Sequence, residues 1–188
     1  MSHYTAYFAA TCLSLLIATT PSLANDAPKK ELTVYTYDSF VSDWGMGPLI
    51  KPTFEEQCGC TLNLVGMEDA VAMLQRLKLE GASTKADIVL GLDLNLVDDA
   101  KKSGLFTTHT VDTSALEMPI DWQDDTFVPF DYGYFAFVYN TELMPNPPKS
   151  LDELVNAGPE LKIIIQDPRS STPGLGLLLW MKSVYGDN

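Results

Sequence analysis

Residues 86–92 read ADIVLGL, a nearly continuous apolar run with β-branched residues at its centre. Such a run is typical of a strand in a parallel sheet, where both faces are covered. Outward along the chain, residues 32–37 (LTVYTY) and 61–65 (TLNLV) also predict strands, and helical patterns lie between them. This alternation of strand and helix predicts an open α/β unit.

The helices of this unit have recognisable ends. Asp69 is suited to cap a helix in which Val71, Leu74 and Leu77 recur at helical spacing, and Gly81 is suited to close it. Two further helices are predicted, one around Leu49, Ile50 and Phe54 that stops at Gly59, and one over residues 96–102.

A second group of elements follows a loop-like stretch. Residues 126–140 (TFVPFDYGYFAFVYN) predict an aromatic strand long enough to cross between two lobes. Ser150 and Glu153 predict a capping box, and residues 161–166 (LKIIIQ) predict a buried strand. Thr172 is expected to cap the final helix. Because two strands do not make a stable sheet, the second lobe is expected to be truncated.

The N-terminus indicates export. Residues 6–19 are largely apolar, and the small residues that follow predict signal cleavage after Ala24. The run is too short for a transmembrane anchor. The expected organisation is a signal peptide (1–24), a first α/β lobe (25–128), and a crossover strand with part of a second lobe (129–188).

Composition narrows the class of partner. The chain has 188 residues with a net charge of -13 and only 12 Lys and Arg, which argues against nucleic acid. Acidity suits a cationic ligand, although an acidic surface also serves solubility alone.

The cysteines predict a disulfide. Cys12 would leave with the signal peptide, so Cys58 and Cys60 remain in an oxidising compartment. A free pair or half of a metal site are the alternatives. The metal alternative is weak because His109 is the one histidine of the expected mature chain. No metal site and no cofactor are predicted.

Candidate binding residues follow the predicted strands. Ligands of open α/β folds bind beyond the carboxyl ends of the strands. Tyr37 and Trp44 follow the first strand, Asp69 the second and Asp93 the third. Aromatic faces with carboxylates suit a flat organic cation. The alternatives are core or surface aromatics, a simple helix cap at Asp69 and a turn residue at Asp93.

The start of the final helix predicts an anion site. Ser171 and Thr172 precede Pro173 at a helix N-terminus, where free N–H groups favour phosphate or carboxylate, and Arg169 is close enough in sequence to assist. Simple capping is the alternative. No catalytic constellation is present, so no enzyme activity is expected.

Five longer motifs carry a family resemblance. The chain closely resembles bacterial periplasmic thiamine-binding proteins, the solute receptors of ABC importers for thiamine and its phosphates. The motifs are LTVYTYDSF (32–40), DWGMGP (43–48), KADIVLGLD (85–93), TFVPFDYGYFAFVYN (126–140) and QDPRSSTPGLGLLLWMKSVYGD (166–187).

The resemblance implies the two-lobed fold of type II periplasmic binding proteins, with the ligand in the cleft. It implies that Tyr37 and Trp44 lie beside the ligand rings, Asp69 near the aminopyrimidine, and Ser171 and Thr172 near the phosphate. Ala70 stands where relatives often have glycine. It also implies a monomer in the periplasm that partners an inner-membrane ABC permease and is not anchored to the membrane.

Because family members continue well past residue 188, this chain alone is expected to bind thiamine weakly or not at all.

Two other functions remain open at this point. Type I thiaminases share the two-lobed architecture and attack thiamine with a cysteine, for which Cys58 and Cys60 are the candidates. Related receptors bind ferric ion through tyrosines, for which Tyr132 and Tyr134 are the candidates.

Overall fold

A computed structural model describes residues 30–186 of the chain. The predicted signal peptide, its cleavage after Ala24 and Cys12 lie outside the described residues. Among the residues that are described, no helix is long and apolar enough to cross a membrane.

A parallel sheet organises the first part of the chain. Its order is β2-β1-β3, with the first strand along the chain in the centre. β1 (Lys30–Tyr37) runs beside β2 (Cys60–Met67) over its full length, from Lys30 opposite Cys60 to Tyr37 opposite Met67. The parallel α/β unit expected from residues 32–37, 61–65 and 86–92 is therefore present.

The helices follow the sequence pattern closely. α3 (Ala70–Glu80) is capped by Asp69, and it buries Leu74 and Leu77 against the sheet because residues three or four apart share one helix face. The other helices are α1 (Asp38–Val41), α2 (Met46–Cys58), α4 (Val97–Lys102), α5 (Leu151–Val155) and α6 (Thr172–Tyr185), with a short 3₁₀ turn at Gly81–Ser83.

The core lies between the sheet and α3. Its centre is a cluster of buried apolar side chains from β1, β2, α3 and α4, against which partly buried residues pack, including Leu175 of α6. The buried members are Tyr35, Met67, Ala70, Val71, Met73, Leu74, Leu77, Leu96 and Ala100. By contrast, the apolar residues from which α2 was predicted are exposed; they are Leu49, Ile50 and Phe54.

The third strand is much shorter than expected. Only Ile88 and Val89 pair, opposite Val34 and Tyr35, and Ile88 is exposed. Apolar composition predicts burial on both faces, whereas the exposure of Ile88 shows that one face of β3 is open; β3 also has β1 as its single strand neighbour among the described residues. The prediction of a long strand over 86–92 is therefore wrong in length and burial.

The two strands predicted in the second part are absent. Neither residues 126–140 nor residues 161–166 form a β-ladder in the described part of the chain. Val138 is 95% exposed and Ile164 is 96% exposed. A strand needs a neighbour that accepts its backbone hydrogen bonds, and these segments have none among the described residues, so composition alone was misleading.

The disulfide prediction is confirmed. Cys58 is the last residue of α2, Gly59 ends the helix with a φ of 61°, and Cys60 begins β2. Cys58 and Cys60 are joined by a disulfide whose Cα atoms lie 5.2 Å apart. This cross-link fastens the tight connection between α2 and β2.

Candidate functional site

Asp69 lies where the loop after β2 meets α6. Its Oδ1 accepts a hydrogen bond of 2.8 Å from the N–H of Ala70. Its Oδ2 accepts from the N–H of Thr172 at 2.8 Å and from the hydroxyl of Ser171 at 3.2 Å. The structure thus brings together two segments that the sequence separates by about a hundred positions.

Asp93 joins the same group from the loop after β3. The Thr172 hydroxyl donates to its Oδ2 at 2.7 Å, and its Oδ1 accepts from the N–H of Asn95 at 2.8 Å. Two residues before Thr172, the Ser170 hydroxyl donates to Oε1 of Glu68 at 3.3 Å. The carboxyl ends of neighbouring parallel strands meet at one edge of a sheet, so carboxylates from two loops reach α6 together.

Tyr37 lies beside this group at the end of β1. Its ring packs edge-on against Phe40, with 5.7 Å between ring centroids. It also lies so close to Gly91 that a Cβ there would be 2.4 Å from the ring. Burial, and then the charges of Asp131 and Asp69, raise the pKa of the Tyr37 phenol. The phenol therefore stays neutral near pH 7.

Trp44 and Ala70 have contrasting environments. Trp44 precedes α2 and is 78% exposed, so its indole is available to a ligand. The side chain of Ala70 is buried in the core cluster, although its backbone N–H reaches Asp69. A ligand role predicted for Ala70 would have to involve its backbone.

Two details at the start of α6 differ from expectation. The helix cap is Ser171, whose hydroxyl accepts from the N–H of Gly174, and Thr172 is the first helical residue. Arg169 forms a fork with the Asp167 carboxylate, with its Nε 3.0 Å from both oxygens. These bonds lower the pKa of Asp167 to about 2. The guanidinium predicted to assist an anion is thus already engaged with a carboxylate.

Sequence reasoning missed two residues of the site, Asp131 and Gln166. The Phe130 ring packs on Phe40, with centroids 5.9 Å apart, which carries Asp131 to the neighbourhood of Tyr37. The Gln166 side-chain oxygen also lies within hydrogen-bonding distance of the Ser171 hydroxyl, whose single proton is shared between Gln166 and Asp69. Asp131 reaches Tyr37 only through contacts between segments far apart in the sequence, whereas Gln166 lies five residues before Ser171 and contacts it across the intervening turn.

Potential metal ligands are not clustered in the described part of the chain. Within residues 30–186, no group of three or more His, Cys, Asp or Glu side chains is arranged to hold one. Tyr132 and Tyr134 are exposed, and their rings meet edge to face with 6.5 Å between centroids.

Comparison with known proteins adds a family and near relatives. Residues 83–188 match the family described as bacterial extracellular solute-binding protein. The thiamine-binding periplasmic protein of Brucella abortus is 60% identical over 159 residues, which are 85% of this chain and 48% of the relative. The protein of the same name from Escherichia coli is 57% identical over 178 residues, 94% of this chain and 53% of the relative.

A solved structure supports the same relationship. The chain superposes on a solved structure of a periplasmic thiamin binding protein with a TM-score of 0.81 and 59% identity, over 85% of this chain and 50% of that one. The chain spans about half the length of the curated relatives it matches.

Proposed function

This chain belongs to the family of bacterial extracellular solute-binding proteins, and we propose that it forms one side of the ligand site of a thiamine receptor. The observation that carries the proposal is the convergence of Asp69, Asp93 and Tyr37 at the carboxyl edge of the sheet. Carboxylates beside aromatic rings favour a flat cation, which is the chemistry of the thiazolium ring of thiamine. The names of the relatives agree with this choice of ligand.

The proposal includes the domain organisation. Residues 25–128 would form a first lobe and residues 129–188 would cross into and begin a second, with the ligand between them. In support, the parallel sheet and its core lie almost entirely before residue 107, whereas α5 and α6 follow residue 150. Closure of two lobes about hinge segments is a common way for receptors to enclose a ligand.

The receptor would act in the periplasm as a monomer without catalysis and deliver its ligand to an ABC permease of the inner membrane. The relatives are named as periplasmic binding proteins, which supports this location and role.

The thiaminase alternative is not favoured. It requires a free thiolate at Cys58 or Cys60, and these two cysteines are disulfide-bonded to each other.

Thiamine binding can be tested in a chimera in which residues 30–188 replace the matching segment of the Escherichia coli relative. We expect saturable thiamine binding in isothermal titration calorimetry. Trp44→Ala is expected to weaken the affinity about tenfold, because it removes one aromatic face from the cation. Since Trp44 is exposed, the midpoint of thermal unfolding should stay unchanged.

Leu49→Ala is the matched control, because Leu49 is an exposed apolar residue that follows Trp44 closely on α2. It should leave the affinity unchanged. A folded chimera that gives no saturable heat with thiamine would refute the proposed function.

The proposal extends to thiamine phosphates through the start of α6. The Ser171 hydroxyl caps the helix, where N–H groups and the positive end of the helix dipole favour an anion. In the chimera, Ser171→Ala is expected to weaken binding of thiamine monophosphate about fivefold more than binding of thiamine. Ser183→Ala on the exposed face of the same helix is the control. Equal losses for both ligands would show that Ser171 has no phosphate role.

A further inference from the structure

One carboxylate serves the N-termini of two helices. Asp69 Oδ1 accepts from the first N–H of α3, and its Oδ2 accepts from the first N–H of α6, that of Thr172. Helix N-termini present N–H groups that have no partner within the helix, together with the positive end of the helix dipole. The charge of Asp69 therefore stabilises the starts of both helices and ties them to each other.

Asp93 strengthens the connection at the same residue. The backbone of Thr172 bonds to Asp69 while its hydroxyl bonds to Asp93 at 2.7 Å, so Thr172 is held from two loops at once. Hydrogen bonds to ionised acceptors are about twice as strong as those between neutral groups.

Apolar packing lies directly behind these bonds. Ser171 is buried, and Leu175, one turn further along α6, packs against the core cluster beneath α3. The start of α6 is thus held at the edge of the sheet in two ways. Thr172 makes polar contacts to the loops after β2 and β3, and Leu175 makes apolar contacts to the core cluster.

We propose that Asp69 and Asp93 form a carboxylate latch, which holds Thr172 and the start of α6 against the loops that follow β2 and β3. In this latch, the Asp69 carboxylate occupies the position at the N-terminus of α6 where an anionic group of a ligand would bind. A ligand whose anionic group uses this N-terminus has to displace Asp69 first. The latch is a contact within the chain and does not depend on the identity of the ligand.

Hydrogen exchange followed by mass spectrometry tests the latch without any ligand. The informative amides are those of Thr172, Gly174 and Leu175, since Pro173 has none. Asp93→Ala removes the acceptor of the Asp93–Thr172 bond and Thr172→Val removes its donor, and we expect exchange at these amides about tenfold faster in each variant. The double variant should exchange no faster than either single variant, because both changes remove the same bond.

The controls separate the latch from general loss of structure. Asp98→Asn changes an exposed carboxylate on α4 and should leave these amides unaffected. Thr172→Ser retains the hydroxyl and should keep the slow exchange of the original chain. Unchanged exchange in both single variants would overturn the proposal, as would a double variant faster than either one. Because no thiamine is present, either result is independent of the proposed function.

Discussion

Replacing Leu74 with alanine is expected to lower the free energy of unfolding by about 2–5 kcal/mol. Leu74 is 0% exposed and lies at the centre of the cluster between α3 and the sheet. The substitution removes buried methyl groups and leaves a cavity that the rigid sheet cannot close, and both effects act in the same direction. Urea denaturation followed by far-UV circular dichroism measures the loss.

Leu79→Ala is the matched control for this prediction. It makes the same chemical change in the same helix, but Leu79 is 89% exposed. The substitution changes the helix propensity at this position little, because leucine and alanine are both good helix formers. We expect a loss below about 0.5 kcal/mol. Similar losses of stability at Leu74 and Leu79 would mean that α3 does not bury the helix face that carries Leu74 and Leu77.

Gly174→Ala is expected to destabilise the chain by about 1–3 kcal/mol and to shift the start of α6. A Cβ at Gly174 would lie 2.5 Å from the carbonyl oxygen of Gln166 and 2.8 Å from the backbone of Asp167. Backbone atoms cannot move aside as a flexible side chain can. This conflict outweighs the roughly 0.5–1 kcal/mol that alanine normally gains over glycine in a helix.

The displacement has a second, local consequence. Ser171 and Thr172 lie just before Gly174, so their bonds to Asp69 should weaken and their amides should exchange faster. Gly158→Ala is the control, because a Cβ there meets no atom within 4 Å. If Gly174→Ala were as stable as the original chain, the close packing of α6 against residues 166–167 would be incorrect.

Elements governed by local chemistry were predictable from the sequence. Asp69 caps α3 as expected because the cap depends on neighbouring backbone groups. The disulfide between Cys58 and Cys60 was expected because they are the two cysteines left in the predicted exported chain, and it joins residues separated by a single glycine. Half of the predicted capping box is present: Ser150 accepts from the N–H of Glu153, whereas the Glu153 carboxylate accepts from the N–H of Lys149 and not from that of Ser150. In each case the interacting groups are at most a few residues apart.

The strand predictions show where local information ends. Residues 32–37 and 61–65 become β1 and β2 because each finds the other as a partner. Residues 126–140 and 161–166 have comparable composition but form no ladder in the described chain. A helix satisfies its own backbone, whereas a strand depends on a neighbour that composition does not reveal.

The sequence by itself determined the α/β class, the N-terminal caps of α3 and α5, the disulfide and the residue types of the candidate site, and its long motifs indicated the family. Only the tertiary structure decided that Asp69 and Asp93 both bind Thr172 and that Asp131 lies near Tyr37. The physical reason is distance along the chain. Groups a few residues apart can meet within a single helix start or turn. Groups about a hundred residues apart meet only when the packed core places them together.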